Sequence, residues 1–192
     1  MPAVLVVTGP SGAGKGTLIH ELVERVPGIE VTVSATTRER RHGEEDGRDY
    51  RFLTDDDFLA RVARGEFLEH VEFVSGHRYG TLRSELERIA ASGNVPLLEL
   101  ETEGALRVKR VVPGAVTIFV SARVEELERR LRDRATESAG EIGERIELAR
   151  KQLEQASEFD HVIENDDLER AAGELTDLAR SLVSPAATMP RR

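Results

Sequence analysis

Short apolar runs separated by longer amphipathic stretches form the main pattern along the chain. Four of these runs have the length of a buried strand, at residues 4–7, 95–100, 116–120 and 161–163. Several of the intervening stretches repeat apolar residues at helical spacing, as at Leu127 and Leu131. This alternation predicts an α/β protein with a central parallel sheet flanked by helices.

Five segments carry the helical pattern, at residues 17–25, 81–91, 124–132, 141–158 and 167–182. Asn165 or Asp166 would cap the last helix, because both side chains can accept a hydrogen bond from an unpaired amide at a helix start. The tail at residues 185–192 has two prolines and no periodicity, so we expect it to be flexible.

The pattern changes between residues 29 and 78. Apolar residues alternate at Ile29, Val31 and Val33, and a charged loop follows. Together with apolar residues near 50–52 and 67–73, this alternation predicts short antiparallel strands, with one helix at about 55–64. We therefore expect residues 34–81 to form an inserted subdomain. Residues 1–33 and 82–184 would form the core, with a short lid at about 130–146.

Composition places the chain among soluble globular proteins, since 39% of its 192 residues are hydrophobic and 33% are charged. Its apolar runs are far shorter than the roughly 18 residues of a membrane span, and the run at 4–7 is too short for a signal peptide. The sequence contains no cysteine, which excludes disulfides and thiolate metal sites. We expect a cytoplasmic protein, as a monomer or homodimer.

The net charge of −9 argues against a broad surface for nucleic acid or anionic membrane. Neither is therefore an expected partner, and any bound phosphate must be met by a local cluster of cations.

A glycine-rich segment connects the first predicted strand to the first predicted helix. It consists of Gly9, Pro10, Ser11, Gly12, Ala13, Gly14, Lys15, Gly16 and Thr17. The glycines allow successive backbone amides to turn toward a phosphate, and the helix N-terminus adds its positive dipole end. Lys15 would reach the outer phosphates. An ordinary turn does not require this order of strand, loop and helix, so the segment predicts a nucleoside triphosphate site.

The position after the lysine of such loops usually carries a serine or threonine that ligates Mg²⁺, and here it is Gly16. Thr17 is the candidate hydroxyl ligand instead. The order Gly-Lys-Gly-Thr resembles the loop of adenylate kinases, which implies that Mg²⁺ is held largely through water and the triphosphate.

A second polar segment, at residues 34–44, contains hydroxyls and several arginines, and Tyr50 follows it. Guanidinium groups in a fork geometry suit a phosphate, although composition alone favours a solvated charged loop. Together with Phe67-Leu68-Glu69-His70 and Tyr79-Gly80-Thr81, this segment resembles the guanylate kinase family, in the same order and at the same separations. The resemblance extends from Val4 to Leu168.

The resemblance implies a P-loop kinase fold with an inserted GMP-binding subdomain, and an enzyme that transfers phosphate from ATP to GMP, and to dGMP, with Mg²⁺. By position, the phosphate of GMP would be bound by Arg38, Arg41, Tyr50 and Tyr79. The guanine would be read by Ser34, Glu69, Thr81 and Glu101. A carboxylate at Glu69 can accept hydrogen bonds from guanine N1–H and N2, whereas adenine has an acceptor at N1.

The same comparison assigns catalytic roles to Lys15, Arg38, Arg130, Arg134 and Arg145, and places Asn165 near the adenine of ATP. Glu101 could instead order Mg²⁺-bound water. Four positions named here depart from the family pattern. Glu99 and Glu101 replace aspartates, Asp133 in the lid replaces a glycine, and Arg78 replaces a tyrosine, where it would add positive charge near the acceptor phosphate.

Two alternatives remain open at the level of sequence. A module of guanylate kinase type that has lost catalysis would bind phosphorylated peptides through the arginines, but it would not need Lys15 and the intact glycine loop. A kinase of another small phosphate ester would not need Glu69 with Ser34 and Thr81. The five histidines show no metal-ligand spacing.

Overall fold

A computed structural model of the chain describes residues 3–73, 76–133 and 139–183. Within these ranges it contains nine strands: β1 (Val4–Thr8), β2 (Ile29–Val31), β3 (Ala35–Thr36), β4 (Arg51–Phe52), β5 (Phe67–Glu72), β6 (Arg78–Leu82), β7 (Val95–Glu99), β8 (Ala115–Ser121) and β9 (His161–Glu164). It also contains seven α-helices: α1 (Lys15–Arg25), α2 (Asp55–Ala63), α3 (Arg83–Ala91), α4 (Thr102–Val111), α5 (Val124–Asp133), α6 (Ala139–Glu154) and α7 (Leu168–Val183).

Five strands form a parallel sheet in the order β2, β7, β1, β8, β9, which confirms the predicted fold class. Strand β1 is in the middle, and all five of its residues are buried. Leu5 and Val7 pack into one core cluster and Val4 and Val6 into another, because alternate side chains point to opposite faces. Helices cover both faces, and this explains why β1 is a continuous apolar run.

A second sheet, in the order β4, β3, β6, β5, contains residues of the segment predicted to be inserted. Phe58 of α2 stacks on Phe67 of β5 with ring centroids 4.3 Å apart, and both belong to a separate small core. The prediction of an antiparallel strand at residues 29–33 was wrong, because β2 pairs parallel with β7 in the large sheet. The division into domains itself remains a prediction.

Within the second sheet, the prediction of antiparallel pairing was also wrong for one pair of strands. Strands β5 and β6 are antiparallel, as are β3 and β6, but β3 and β4 run parallel. A short hairpin would have produced the antiparallel arrangement. Residues 37–50 instead form a long connection that returns the chain to the start of β3.

Several helix boundaries differ from the prediction. Residues 81–82 belong to β6, so α3 begins at Arg83, and the helix predicted to reach residue 158 ends at Glu154 before a 3₁₀ turn at Ala156–Glu158. Helix α4 was not predicted. Its buried Ala105 and Val108 have helical spacing, but the polar start of the helix hides this short stripe.

The predicted cap of the last helix was also wrong. Asp167 caps α7, since its Oδ1 accepts a hydrogen bond from the Arg170 amide at 2.8 Å. Asn165 instead donates through its backbone amide to Ser121 O of β8 and through its side-chain amide to Ala13 O, and the Asp166 carboxylate pairs with the Arg170 guanidinium. The flexible tail predicted at residues 185–192 lies outside the described residues. None of the described helices combines the length and apolar character needed to cross a membrane.

Candidate active site

The glycine-rich loop connects the carboxyl end of β1 to the amino end of α1. Gly14 precedes the helix in a left-handed conformation with φ of 87°, and the first turn of α1 carries no acidic residue. Lys15 Nζ donates to Gly9 O at 2.7 Å and to Pro10 O at 3.2 Å. The lysine ammonium therefore lies across the loop, next to the helix N-terminus, where two positive features can meet one anion.

Two of the glycines are required by the space around them. A Cβ on Gly9, whose φ is 141°, would lie 2.1 Å from Val120 O. A Cβ on Gly14 would lie 2.4 Å from Asn165 Nδ2. Gly16 differs, since a Cβ there would have no atom within 4 Å. The space around Gly16, the residue that departs from the usual motif, would therefore accommodate a side chain.

The contrast between Gly9 and Gly16 predicts opposite effects of the same substitution. Gly9→Ala should destabilise the protein by about 2 kcal/mol or more and abolish ATP binding, because of a strained φ and a backbone clash. Gly16→Ala should stabilise it by up to about 1 kcal/mol, because alanine is the better helix former. Denaturant unfolding and ATP titration measure both effects. Equal losses in the two variants would contradict this account.

The side chains of Asn165 and Arg130 donate hydrogen bonds to backbone carbonyls of the glycine loop. Asn165 Nδ2 donates to Ala13 O at 2.8 Å, and the asparagine is buried. Arg130 Nη1 donates to Gly12 O at 3.1 Å, while its Nε donates to Glu126 Oε1 at 2.7 Å. The structure thus brings two of the predicted ATP-site residues to the loop. Of the other lid arginines, Arg145 is exposed on α6, and Arg134 lies outside the described residues.

A cleft of about 1140 Å³ opens between the two sheets and α6. The predicted site residues that line it are Lys15, Ser34, Tyr50, Glu69, Tyr79 and Glu101. They come from the glycine loop, the segments around β3 and β4, the β5–β6 pair and the end of β7. Segments far apart in sequence therefore converge on a single volume, at the carboxyl end of the parallel strands.

Arg38 lies beside the two tyrosines predicted to bind the same phosphate. Its Cζ is 5.4 Å from the ring centroid of Tyr50, and the rings of Tyr50 and Tyr79 are 6.0 Å apart. Glu44 Oε1 accepts from Arg38 Nη2 at 2.8 Å and raises the pKa of the guanidinium, an effect to which Tyr79 adds. This cluster has the charge and the donors for a phosphate, with Glu44 as the anion already present.

Two further arginines that were expected near the acceptor phosphate, Arg41 and Arg78, differ from Arg38 in their contacts. Arg41 is exposed and contacts Glu44 through its backbone, since its amide donates to Glu44 Oε2 at 2.8 Å and its carbonyl accepts from the Glu44 amide at 3.2 Å. Its predicted phosphate contact remains a prediction. Arg78 was expected to add charge near the acceptor phosphate, but its guanidinium pairs with Asp55 and Glu72. It connects the start of α2 to the edge of β5, and its expected contribution near the acceptor phosphate remains a prediction.

Glu69 is the buried carboxylate of the cleft, with 5% of its surface exposed. It lies opposite Thr81 in the β5–β6 pair, directly after an irregularity in the register between Phe67 and Glu69. Such bulges redirect side chains, and here Phe67, Leu68 and Glu69 are all buried in succession. A Cβ on Gly104 of α4 would lie 3.4 Å from Glu69 Oε2, so a small residue faces the carboxylate.

Burial raises the pKa of the Glu69 carboxyl, while Thr81 and then Arg107 oppose the rise. Thr81 Oγ1 is itself buried, and within the described ranges it has no hydrogen-bond partner of normal geometry. A carboxylate and a neighbouring hydroxyl with unused capacity suit a ligand that donates several hydrogen bonds.

Oxygen donors for a metal are present but dispersed. Glu99 and Glu101 line the cleft, and Thr17 is exposed in the first turn of α1. In the described part of the chain no three histidine or carboxylate side chains cluster as a metal site. This donor set fits Mg²⁺ that is carried mainly by phosphate and water and contacts only one or two protein oxygens.

Sequence reasoning missed several residues around the cleft. Gln152 of α6 donates to Glu101 Oε2 at 3.4 Å, and Lys151 lines the same wall. Arg107 of α4 lines the opposite part and donates to His70 O at 3.3 Å. The helical spacing of Ala105 and Val108 could have revealed α4, and with it Arg107.

The chain is similar to known guanylate kinases over nearly its whole length. The profile of the family described as guanylate kinase matches residues 1–182. The guanylate kinase of Rubrobacter xylanophilus is 44% identical over 182 residues, which cover 94% of this chain and 95% of that protein. A guanylate kinase of Synechococcus is 48% identical over 171 residues, covering 88% of this chain and 90% of that protein.

Solved structures agree with the sequence relatives. The crystal structure of guanylate kinase from Anaplasma phagocytophilum has a TM-score of 0.73 to this protein at 29% identity, covering 96% of this chain and 88% of that one. The profile match, the relatives and this structure all extend across the glycine loop, the second sheet and the cleft between them. The chain therefore belongs to the guanylate kinase family.

Proposed function

We propose that this protein is a guanylate kinase that transfers the γ-phosphoryl group of ATP to GMP, giving ADP and GDP. The observation that carries the proposal is that Lys15 of the glycine loop and Glu69 of the second sheet line one cleft. The first suits a triphosphate and the second a guanine, so both substrates would lie in one volume, with their phosphates facing each other.

The reaction follows from the charges of its substrates. An oxygen of the GMP phosphate is already ionised at neutral pH, so it attacks the γ-phosphorus without a general base, and the bond from that phosphorus to the bridging oxygen of ADP breaks. The main obstacle is repulsion between two anions. Lys15 and Arg130 on the ATP side, with Arg38 on the GMP side, would offset this repulsion and stabilise the transferred group.

Mg²⁺ would be the metal of this reaction, held by Thr17 or by Glu101 through water. When bound, it would neutralise charge on the β- and γ-phosphates. The protein's own residues would align the two nucleotides, with the Gly9–Thr17 loop fixing one phosphate chain and Tyr50 and Tyr79 fixing the other. Arg134 and Arg145 as lid residues, dGMP as a second acceptor, a cytoplasmic location and a monomer or homodimer are further proposals carried by the sequence alone.

The test is a panel of acceptors. Purified protein with Mg-ATP is offered GMP, dGMP, AMP, UMP and CMP separately, and the diphosphate products are quantified. We expect GMP to give the highest kcat/KM and AMP to be lower by about 10²-fold or more, because a buried carboxylate faces the acceptor at adenine N1. Preference for AMP would refute guanine recognition. Binding of GMP without turnover of any acceptor would favour the non-catalytic module.

A further inference from the structure

Glu85 is a buried carboxylate that lies outside the cleft and has no role in the proposed chemistry. It belongs to α3, and only 1% of its side chain is exposed. Its Oε1 accepts from the Val33 amide at 3.1 Å, and its Oε2 is 3.4 Å from Arg51 Nη2. Arg88, one turn later, donates to both oxygens, at 2.8 and 3.2 Å. One carboxylate therefore joins three separate segments of the chain.

These segments meet where the chain passes from one sheet to the other. Val33 lies between β2 of the parallel sheet and β3 of the second sheet. The next residue, Ser34, accepts a hydrogen bond through its carbonyl from the Arg51 amide at 2.9 Å. Arg51 begins β4, directly after Tyr50. Glu85 thus fixes the residues adjacent to Ser34 and Tyr50, and both of these line the cleft.

The charges around Glu85 are balanced. Burial alone would raise the pKa of the Glu85 carboxyl, but hydrogen bonds from Arg88 and the Val33 amide outweigh it and hold the pKa below its ordinary value. Arg88 Nη2 also contacts Glu30 Oε1 of β2 at 2.7 Å, and Asn94 donates to the other oxygen of Glu30. Removal of the Glu85 carboxylate would leave the Val33 amide and the arginine charges without this partner, and an unpaired polar group in a buried site lowers the free energy of unfolding.

We propose that Glu85 is a positioning residue for the monophosphate substrate, acting through the Val33 amide and Arg51 to hold Ser34 and Tyr50 in place. This rests on the proposed function, since it assumes that these two residues contact the nucleotide acceptor. The hydrogen bonds of Glu85 reach Val33, Arg51 and Arg88, and through Arg88 they reach Glu30, and none of these residues belongs to the glycine loop. A defect in the network should therefore affect the acceptor side and leave ATP binding intact.

The kinetic test compares Glu85→Ala, Glu85→Gln and Arg51→Gln with Glu87→Gln, which removes an exposed charge from the same helix. We expect Glu85→Ala to raise the KM for GMP about tenfold or more and to leave the KM for ATP within twofold, because small displacements of positioning groups have large kinetic costs. Glu85→Gln keeps an acceptor for the Val33 amide and should be milder. Glu87→Gln should behave as the unmodified protein.

Hydrogen exchange tests the same proposal without any substrate. In Glu85→Ala the amides of residues 29–36 should lose protection, while those of the glycine loop keep theirs. Should Glu85→Ala fail to fold, Arg51→Gln carries the test, since 40% of the Arg51 side chain is exposed and tolerates change. Unchanged exchange at residues 29–36, or equal increases in both KM values, would overturn the proposal.

The two proposals fail in distinguishable ways. If the unmodified protein phosphorylates a different monophosphate, guanylate kinase activity is refuted. The Glu85 variants are then compared through the KM for that acceptor instead of the KM for GMP, and the hydrogen-exchange test still applies because it uses no substrate. If GMP is the preferred acceptor but the Glu85 and Glu87 variants behave alike, the positioning role is refuted and the activity stands.

Discussion

Replacing Lys15 with alanine should lower kcat for phosphoryl transfer by about 10³-fold, with little change in the dissociation constant for GMP. The Lys15 ammonium lies at the helix N-terminus and across the loop carbonyls, where the outer phosphates of ATP would bind. Charge that develops on the transferred group would lose its nearest cation. The residues expected to bind GMP come from other segments, so its affinity should persist.

Steady-state kinetics and GMP titration measure the two parts of this prediction. Lys109→Ala is the control for loss of one positive charge, because Lys109 pairs with Asp160 at 2.7 Å and does not line the cleft. That variant should keep its kcat while losing some stability. A fall in kcat in Lys15→Ala that is accompanied by an equal fall in GMP affinity would contradict a role confined to the triphosphate.

Lys15 also hydrogen-bonds the loop itself, and this raises a second explanation. If alanine only allowed the loop to unfold, the thermal midpoint of the unliganded protein would fall and the Gly9–Thr17 amides would lose protection from exchange. We expect neither change to be large, since Asn165 and Arg130 hold the carbonyls of Ala13 and Gly12 independently. Lost transfer with a folded loop would assign the effect to the ammonium.

The parallel sheet could be predicted from sequence because its signal is local. Strand β1 is buried on both faces, so it forms an uninterrupted apolar run, and helices such as α1 and α7 carry a repeating apolar stripe. In the parallel sheet and its helices, the burial of a residue can therefore be predicted from the residues next to it in sequence. The same property made the glycine loop recognisable, because strand, loop and helix follow one another directly.

The second sheet was less predictable because its strands are short and depend on partners far away in sequence. Strands β3 and β4 contain two residues each, and no alternation can be read from two positions. Their parallel pairing depends on the path of residues 37–50. The bulge before Glu69 likewise places three successive side chains in the interior, against the alternation of an ordinary strand.

Most residues of the candidate site were predicted through the resemblance to a family. The site residues that the resemblance did not indicate are defined by tertiary contacts, which the sequence does not show. Glu44 pairs with Arg38, and Glu85 joins Val33 and Arg51 across 52 and 34 positions. A glutamate in a charged loop or a helix gives no local sign of such a role. For Arg78 the local sequence did not indicate the partners that the structure contains. Its position beside Tyr79 suggested added charge near the acceptor phosphate, whereas its guanidinium pairs with Asp55 and Glu72.

Replacing Glu69 with glutamine should lower kcat/KM for GMP by about 10²-fold or more, while the KM for ATP stays within twofold. The carboxylate would accept two hydrogen bonds from guanine, but a glutamine amide offers one acceptor and places N–H donors against a donor of the base. Glu69→Ala should show the same pattern with loss of the packing near Gly104. Steady-state kinetics with each substrate varied in turn provide the measurement.

The same substitution should not weaken the unliganded fold. Because burial raises the pKa of Glu69, the folded protein binds a proton more readily than the unfolded chain between the ordinary and the raised pKa. The contribution of this group to stability is therefore full at low pH and is lost as the pH rises through the raised pKa. Glutamine removes that loss, so Glu69→Gln should be at least as stable as the unmodified protein at neutral pH, by denaturant unfolding.

The pH dependence of the KM for GMP separates a base-reading carboxylate from a structural one. As the pH falls through the raised pKa, Glu69 becomes protonated and the KM for GMP should rise, whereas in Glu69→Gln this dependence should disappear. His70 is the nearby group that could imitate the effect, since burial lowers its pKa from the ordinary value. His70→Gln should therefore retain the pH dependence. The opposite result, in which His70→Gln abolishes the pH dependence and Glu69→Gln retains it, would show that ionised Glu69 does not bind the guanine. The proposed match between a buried acceptor and a base with several donors would then lose its support.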